Sequence, residues 1–284
     1  MKLIPHGMRL KLYRLYFPVL LLWAWTSPYL SAQRFSANPT SLALGGSFVA
    51  LEGFEGIALN PAAIAHIKGY ALQSHFRNKY FSKEWNEYAI QFAAAIPNIG
   101  SIGIYHHAGA MPLFHRNRSS FSYARTIGPH FSAGMHFNYH YIFQGEGYGT
   151  LHGFSADAGI QVRFLKNFIW GFSVHNPIRM RLSKIWPERI PFLISTGFSY
   201  TSKKGIFISS EIEKDIDALW VFRLGIEYKF LENYALRIGF HTSPNAPSFG
   251  FGFEKNKWKL NWASAYNIPA GMEMALSIAY QWKN

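Results

Sequence analysis

The chain has 284 residues, of which 15% are charged and 18% aromatic, and its formal net charge at pH 7 is +13. Soluble globular domains carry about 25% charged residues, so this composition argues against an ordinary soluble domain. The chain contains no cysteine, which excludes a disulfide framework, a thiolate metal site and a cysteine nucleophile.

Residues 1–32 have the organisation of a secretory signal peptide. A basic start precedes a short apolar core, LYFPVLLLWAW (15–25), and we expect cleavage between Ala32 and Gln33. A membrane anchor is the alternative, but the core is too short and Pro18 interrupts it. The basic residues of this segment are Lys2, Arg9, Lys11 and Arg14.

The positive net charge of the mature chain indicates which kinds of partner it could bind. Removing the four signal-peptide cations from +13 leaves +9. Export argues against nucleic acid as the partner and favours outer-membrane lipid, lipopolysaccharide, another anionic polysaccharide or an acidic substrate. Basic loops that suit a lipopolysaccharide-rich leaflet are the simplest explanation.

Large apolar residues alternate with small or polar ones through most of the chain after residue 69. In the segment 220–230, WVFRLGIEYKF, Phe222 and Leu224 share one face while Arg223 and Glu227 share the other. Successive side chains of a strand point to opposite sides, and unpaired charges are costly in a dry core. We therefore expect the apolar face to meet lipid and the charged face to line a polar lumen.

The repeated pattern predicts an all-β fold, a transmembrane antiparallel up-and-down β-barrel of about 14 strands with a short N-terminal plug, or hatch. Predicted connections alternate between short and long, as do periplasmic turns and outer loops in outer-membrane barrels. An even strand number places both termini in the periplasm. The predicted strands are 69–78, 85–96, 100–109, 117–126, 130–143, 150–163, 167–175, 191–200, 204–213, 220–230, 233–242, 247–254, 257–266 and 272–282.

Residues 33–68 do not alternate, and the barrel is predicted to occupy 69–284. The stretch GGSFVALEGFEGIALNPA (45–62) is small and glycine-spaced, which permits close backbone approach. Pro61 forces Asn60 out of helical geometry. We expect this segment to be a hatch inside the lumen, and its motif residues are Gly45, Gly46, Asn60, Pro61 and Ala62.

The run LALGGSFVALEGFEGIALNPAAIA (42–65) resembles the N-terminal signature of the FadL superfamily of outer-membrane barrels, most closely the PorV/PorQ-type proteins of Bacteroidota. Those proteins read as a GG-x-FVAL run, acidic residues and then NPA, and in FadL-type transporters the NPA lies in the hatch. Residues 175–200 and 235–266 also resemble PorV-like proteins. The acidic run is thin here, with Glu52 and Glu55 only, and the chain is short for the family.

The resemblance implies two non-enzymatic functions. The first is an accessory barrel subunit of type IX-like secretion or of a surface assembly, whose outer loops bind proteins. The alternative is a passive transporter of hydrophobic small molecules, in which a hatch shift opens a lateral route into the membrane. Small inward residues argue against a roomy cavity and favour the first function; they are Ala89, Ala93, Ala263, Ala265 and Ala275. An outer-membrane lipid hydrolase comes third.

Two sets of polar residues are candidates for a lumen site, and no catalytic, cofactor or metal residue is assigned. His136 and His140 are predicted to share a lumen face with His130, either as a metal or acid–base cluster or as plain polar lining. A second set is a candidate anion patch, unless it pairs with Glu227, Glu254 and Glu273 along the wall. This second set is Arg223, Arg237, His241, Lys257 and Lys259.

Overall fold

The computed structural model describes residues 36–147, 149–180, 182, 190–216, 218–268 and 270–282. The predicted signal peptide lies outside these residues. The fourteen strands are β1 (Tyr70–Lys79), β2 (Asn86–Ile96), β3 (Gly100–Met111), β4 (Phe114–Ile127), β5 (Phe131–Gln144), β6 (Gly149–Leu165), β7 (Phe168–His175), β8 (Leu193–Thr201), β9 (Ile206–Asp215), β10 (Trp220–Phe230), β11 (Tyr234–His241), β12 (Ala246–Lys255), β13 (Trp258–Asn267) and β14 (Gly271–Trp282).

The strands form one closed antiparallel barrel in which each strand pairs with its neighbours in sequence. β1 completes the closure by pairing with β14, from Tyr70↔Trp282 to Lys79↔Glu273. Closure leaves no sheet edge with unpaired backbone groups, which is the condition for a sheet to cross a bilayer. The predicted fold class and strand number are confirmed. Among the described residues, no helix is both long and apolar enough to span a membrane.

The two faces of the wall have the polarity that alternation predicts. On β10, Phe222 and Leu224 are exposed on the outer surface, whereas Glu227 is buried in the lumen. The large apolar residues therefore meet lipid, and the lumen is polar. The inward alanines Ala89 and Ala263 are buried, as predicted.

The connections define two ends of the barrel. The short-turn rim consists of the turns 97–99, 128–130, 166–167, 202–205, 231–233 and 256–257. The long-loop rim carries the other connections, the longest of which runs from 176 to 192. The predicted long loop 109–118 is instead a hairpin with a two-residue turn at Pro112 and Leu113. Its polar residues resemble a loop in composition, yet they keep the ladder pairing of β3 with β4.

Residues 36–69 precede the first strand and form the hatch. They contain a short α-helix (Pro39–Ala43) and two 3-10 helices (Phe54–Gly56 and Pro61–His66). The side chain of Asn38 caps the α-helix by accepting a hydrogen bond from the Thr40 amide at 2.8 Å, which satisfies one of its free N–H groups. Most hatch residues are buried, because the barrel wall surrounds them.

Candidate functional site

The hatch backbone lies directly against the barrel wall where the wall carries glycine. A Cβ at Gly171 would lie 2.2 Å from the Val49 carbonyl oxygen, and a Cβ at Gly239 would lie 2.1 Å from the Gly45 amide nitrogen. Neither distance is compatible with a side chain, so these glycines provide the space in which the hatch fits. Further wall glycines in such contact with the hatch are Gly103, Gly134, Gly159 and Gly225.

Asn60 connects two parts of the hatch to each other and to the wall. Its Nδ2 donates hydrogen bonds to the carbonyl oxygen of Val49 at 2.6 Å and to that of Ile160, on β6, at 3.4 Å. Its Oδ1 accepts from the Ala62 amide at 3.0 Å and so caps the helix that begins at Pro61. Asn60 is extended, with φ of −140° and ψ of 111°, as expected for the residue before proline.

Replacing Asn60 should loosen the hatch without affecting the barrel. In Asn60→Ala the buried Val49 carbonyl loses a donor and the helix loses its cap, which costs about 2 kcal/mol. We expect roughly 30-fold faster amide exchange across residues 48–62, measured by mass spectrometry. Asn60→Ser keeps a capping oxygen and should lie between Asn60→Ala and the wild type. Equal exchange in all three proteins would contradict this role.

The remaining motif residues lie where the hatch turns. Gly45 and Gly46 have φ of 65° and 79°, a left-handed conformation that glycine adopts readily. The Gly45 amide donates to Ser248 Oγ on β12 at 3.2 Å. Ala62 is fully buried. All five motif residues thus lie in the hatch. Their positions are set by contacts with the barrel wall or by the backbone conformation of the hatch.

Carboxylates hold the hatch at three places on the wall. Glu211 on β9 accepts hydrogen bonds through Oε2 from the amides of Phe48 and Val49, at 2.7 and 2.8 Å. The hatch residue Glu52 pairs with Arg163 on β6. The hatch residue Glu55 pairs with Lys259 of β13 at 2.8 Å. Hydrogen bonds to charged groups are worth about twice those between neutral groups, so these three contacts are strong polar attachments of the hatch.

The electrostatics of Glu55 favour its ionised form. Burial by itself would raise the pKa of this carboxyl, but the positive charges of Lys259 and Arg237 outweigh burial and lower the pKa to about 2. Asn261 adds a hydrogen bond from Nδ2 to Oε1 at 3.4 Å. Glu55 therefore carries its charge inside the barrel at any physiological pH.

The predicted anion patch is not brought together as a free cationic surface. Arg223 pairs with Glu213 at 2.6 Å, and Arg237 pairs with Glu227 at 2.6 Å. Glu227 is the partner that the wall-pairing alternative named, whereas Glu213 was not anticipated. His241 lies opposite Arg223 in the β10–β11 register.

Lys257 is the exception within the predicted set. It lies exposed in the turn between β12 and β13, at the short-turn rim, because β13 begins only at Trp258. Its placement in the lumen was therefore wrong. Lys259, two residues later, points into the lumen and contacts the hatch through Glu55.

His136 of β5 and His175 of β7 contact an aspartate that the sequence analysis did not single out. His136 Nδ1 and His175 Nδ1 lie 3.5 and 3.2 Å from Oδ2 of Asp157 on β6. Asn138 Nδ2 donates to the same oxygen at 2.8 Å. His130 is not part of this cluster, because it lies exposed in the turn before β5.

His140 and Asp157 have different hydrogen-bond partners. His140 Nε2 lies 2.9 Å from Ser155 Oγ, but the Asp157 carboxylate is engaged by other groups. The described residues contain no group of three His, Asp or Glu side chains arranged to hold a metal ion.

A small cavity separates this cluster from the hatch. It has a volume of about 30 Å³ and lies between the hatch residues Ala58 and Leu59 and the side chains of Asp157 and His175, with Ile190 on its outer side. That volume holds about one water molecule. The hatch therefore leaves little space between itself and this part of the wall. A larger groove, of about 600 Å³, lies on the membrane-facing surface of β1 and β12–β14.

Searches against protein-family models and against curated proteins found no match. Among solved structures, the chain is similar to the monoaromatic hydrocarbon channel CymD, with 11% identity over 89% of this chain and 100% of CymD and a TM-score of 0.73. The toluene transporter TbuX of Ralstonia pickettii has 11% identity over 88% and 99% of the two chains and a TM-score of 0.70. A FadL homologue of Pseudomonas aeruginosa has 10% identity over 86% and 98%, with a TM-score of 0.63.

At such low identities these similarities show the fold. The chain has the fold of FadL-type hydrocarbon channels. The likeness covers nearly all of each solved chain, so this chain contains their whole architecture.

Proposed function

We propose that this protein is an outer-membrane channel for passive transport of a small hydrophobic molecule, with the hatch as its gate. The proposal depends on one observation: in a barrel with the fold of hydrocarbon channels, the hatch lies inside the lumen and is held there by non-covalent contacts alone. Export through the predicted signal peptide, with the short turns in the periplasm, is part of the same proposal.

The surface beneath the hatch suits a small apolar solute. Phe54, Ile57 and Ile64 of the hatch belong to one buried apolar cluster with alanines of the wall. Those alanines are Ala71, Ala89, Ala93, Ala124 and Ala279. The small inward residues of the wall therefore leave space in the lumen, and side chains of the hatch fill that space in this conformation. Displacing Phe54 and Ile57 would expose the apolar wall residues of this cluster to a solute in the lumen.

The boundary between β2 and β3 offers a less favourable exit than the lumen. β2 and β3 pair without interruption from Asn86↔Ala110 to Ile96↔Gly100. A lateral route here would break backbone hydrogen bonds that lipid cannot replace. Moving the hatch breaks side-chain contacts whose polar groups water in the lumen can satisfy. We therefore infer movement of the hatch as the gating step.

The comparisons support the transporter, which the sequence analysis placed second, over an accessory role in type IX secretion. The similar structures are described as hydrocarbon channels and toluene transporters. The finer resemblance to PorV/PorQ-type proteins stays a prediction.

The gate can be tested by locking it, because the chain has no native cysteine. Ser199 Oγ on β8 donates to the Ala50 carbonyl of the hatch at 2.8 Å, so the two residues are neighbours across the boundary between hatch and wall, and Ala50→Cys with Ser199→Cys is the pair to oxidise. We expect the oxidised double variant to lose at least tenfold in uptake of radiolabelled toluene by a host without its own channel. Reduction should restore uptake.

Each single-cysteine variant is the matched control and should transport whether oxidised or reduced. Full uptake by a protein whose disulfide is verified by mass spectrometry would exclude the hatch as the gate. Absence of uptake in the wild type, relative to the empty host, would exclude toluene transport.

A further inference from the structure

Among the residues that the structure describes, eight exposed cations lie at the short-turn rim. In the described part of the chain, the exposed acidic residue at this rim is Glu232. Among the described residues of the long-loop rim, Lys83, Glu84, Glu146 and Arg179 are exposed. The exposed cations of the short-turn rim are Lys68, Arg125, Lys166, Lys203, Lys204, Lys229, Lys255 and Lys257.

The cations are spread around the circumference of the barrel. Lys68 precedes β1, Arg125 lies near the end of β4, and Lys166 follows β6. Lys203 and Lys204 form the turn between β8 and β9, and Lys255 and Lys257 flank that between β12 and β13. A partner that meets all of these positions must surround the barrel, as a lipid leaflet does.

Large apolar residues lie beside these cations at the same rim. Ile127, Phe164, Leu165 and Trp258 are exposed by 59%, 60%, 70% and 51%. Aromatic and aliphatic side chains at this level enter the membrane interface. Lysines next to them keep their stems in apolar surroundings and their ammonium groups among the headgroups.

We infer that the short-turn rim binds anionic phospholipid headgroups of the leaflet that surrounds it. A lysine near an anionic membrane surface contributes about 1 kcal/mol, or roughly a fivefold preference for anionic over neutral lipid. The inference rests on the barrel spanning a membrane and not on what the channel passes. Failure of toluene uptake would therefore leave it unaffected.

Tryptophan fluorescence can measure lipid binding separately at the two rims. One reporter protein keeps Trp258 and Trp282 at the short-turn rim, and the other keeps Trp85 and Trp220 at the long-loop rim, with phenylalanine at the remaining tryptophan positions. Each is reconstituted in phosphatidylcholine vesicles that contain dibrominated phosphatidylglycerol or dibrominated phosphatidylcholine. Quenching by the brominated chains gives the relative association constant of the two lipids at each rim.

We expect phosphatidylglycerol to be preferred about fivefold at the short-turn rim and not at the long-loop rim. The quadruple variant K203Q/K204Q/K255Q/K257Q should reduce the preference at least threefold, as should 0.5 M salt, which screens exposed charges. The control K83Q/R179Q should leave it unchanged. Equal quenching by both lipids at the short-turn rim of the wild type, or no effect of the quadruple variant on a correctly folded barrel, would overturn the inference.

Discussion

Gly239→Ala should displace the hatch while leaving the barrel folded. The added Cβ would lie 2.1 Å from the Gly45 amide nitrogen and 2.4 Å from the Leu44 carbonyl carbon. Both are backbone atoms, so no side-chain rotation can relieve the contact, and the hatch must move. Overpacking of this kind costs about 1–3 kcal/mol. We expect the equilibrium between the closed and the displaced hatch to shift at least about fivefold towards the displaced hatch.

Two measurements should register the change. Conductance of single barrels in planar bilayers should rise, and protease should cleave within residues 45–60 of folded, heat-modifiable protein. The matched control is Gly109→Ala, because that glycine also lies in the wall but the nearest atom to an added Cβ is the Arg116 carbonyl oxygen at 3.5 Å. Identical conductance and cleavage in the two variants would show that the wall glycines do not determine how the hatch fits.

The barrel could be predicted from the sequence because each strand is marked by a pattern among its own consecutive residues. A period of two in side-chain polarity is set by the geometry of each strand, so segments such as 220–230 coincide with the observed strand. The first and last residues of each strand are harder to predict from this pattern. Predicted strand 204–213 begins at Ile206 because Gly205, with φ of 80°, completes the turn. Lys257 has the same parity as Lys259, but it precedes the strand, so its side chain is exposed.

The attachment of the hatch could not be predicted in the same way. Glu211 accepts from an amide that is 163 residues away in the chain, and no local pattern marks it as different from Glu213. Asp157 sits in the small-residue stretch SADAG and resembles ordinary lumen lining. The wall glycines that contact the hatch could not be predicted either, because a glycine in a strand has no side chain whose polarity would indicate its neighbour. Within the hatch, the NPA motif did give a local signal, since Pro61 restricts Asn60.

Glu55 should make the stability of the closed channel depend on pH. Its pKa is about 2 in the folded protein, compared with an ordinary value of 4.5. A depressed carboxyl pKa stabilises the folded state fully above pH 4.5, and the contribution is lost as the pH falls from 4.5 to about 2. A difference of about 2.5 pKa units corresponds to roughly 3 kcal/mol.

Glu55→Gln should remove this contribution, because glutamine resembles the protonated acid in shape and carries no charge. At pH 7 we expect the variant to unfold in urea, in lipid vesicles, with a free energy about 3 kcal/mol below that of the wild type. The difference between the two proteins should close as the pH approaches 2, since wild-type Glu55 is then protonated. Glu84→Gln, on an exposed connection, should match the wild type at every pH. A wild-type advantage that stays constant, or grows, as the pH falls would refute the pairing of Glu55 with Lys259 as an attachment of the hatch.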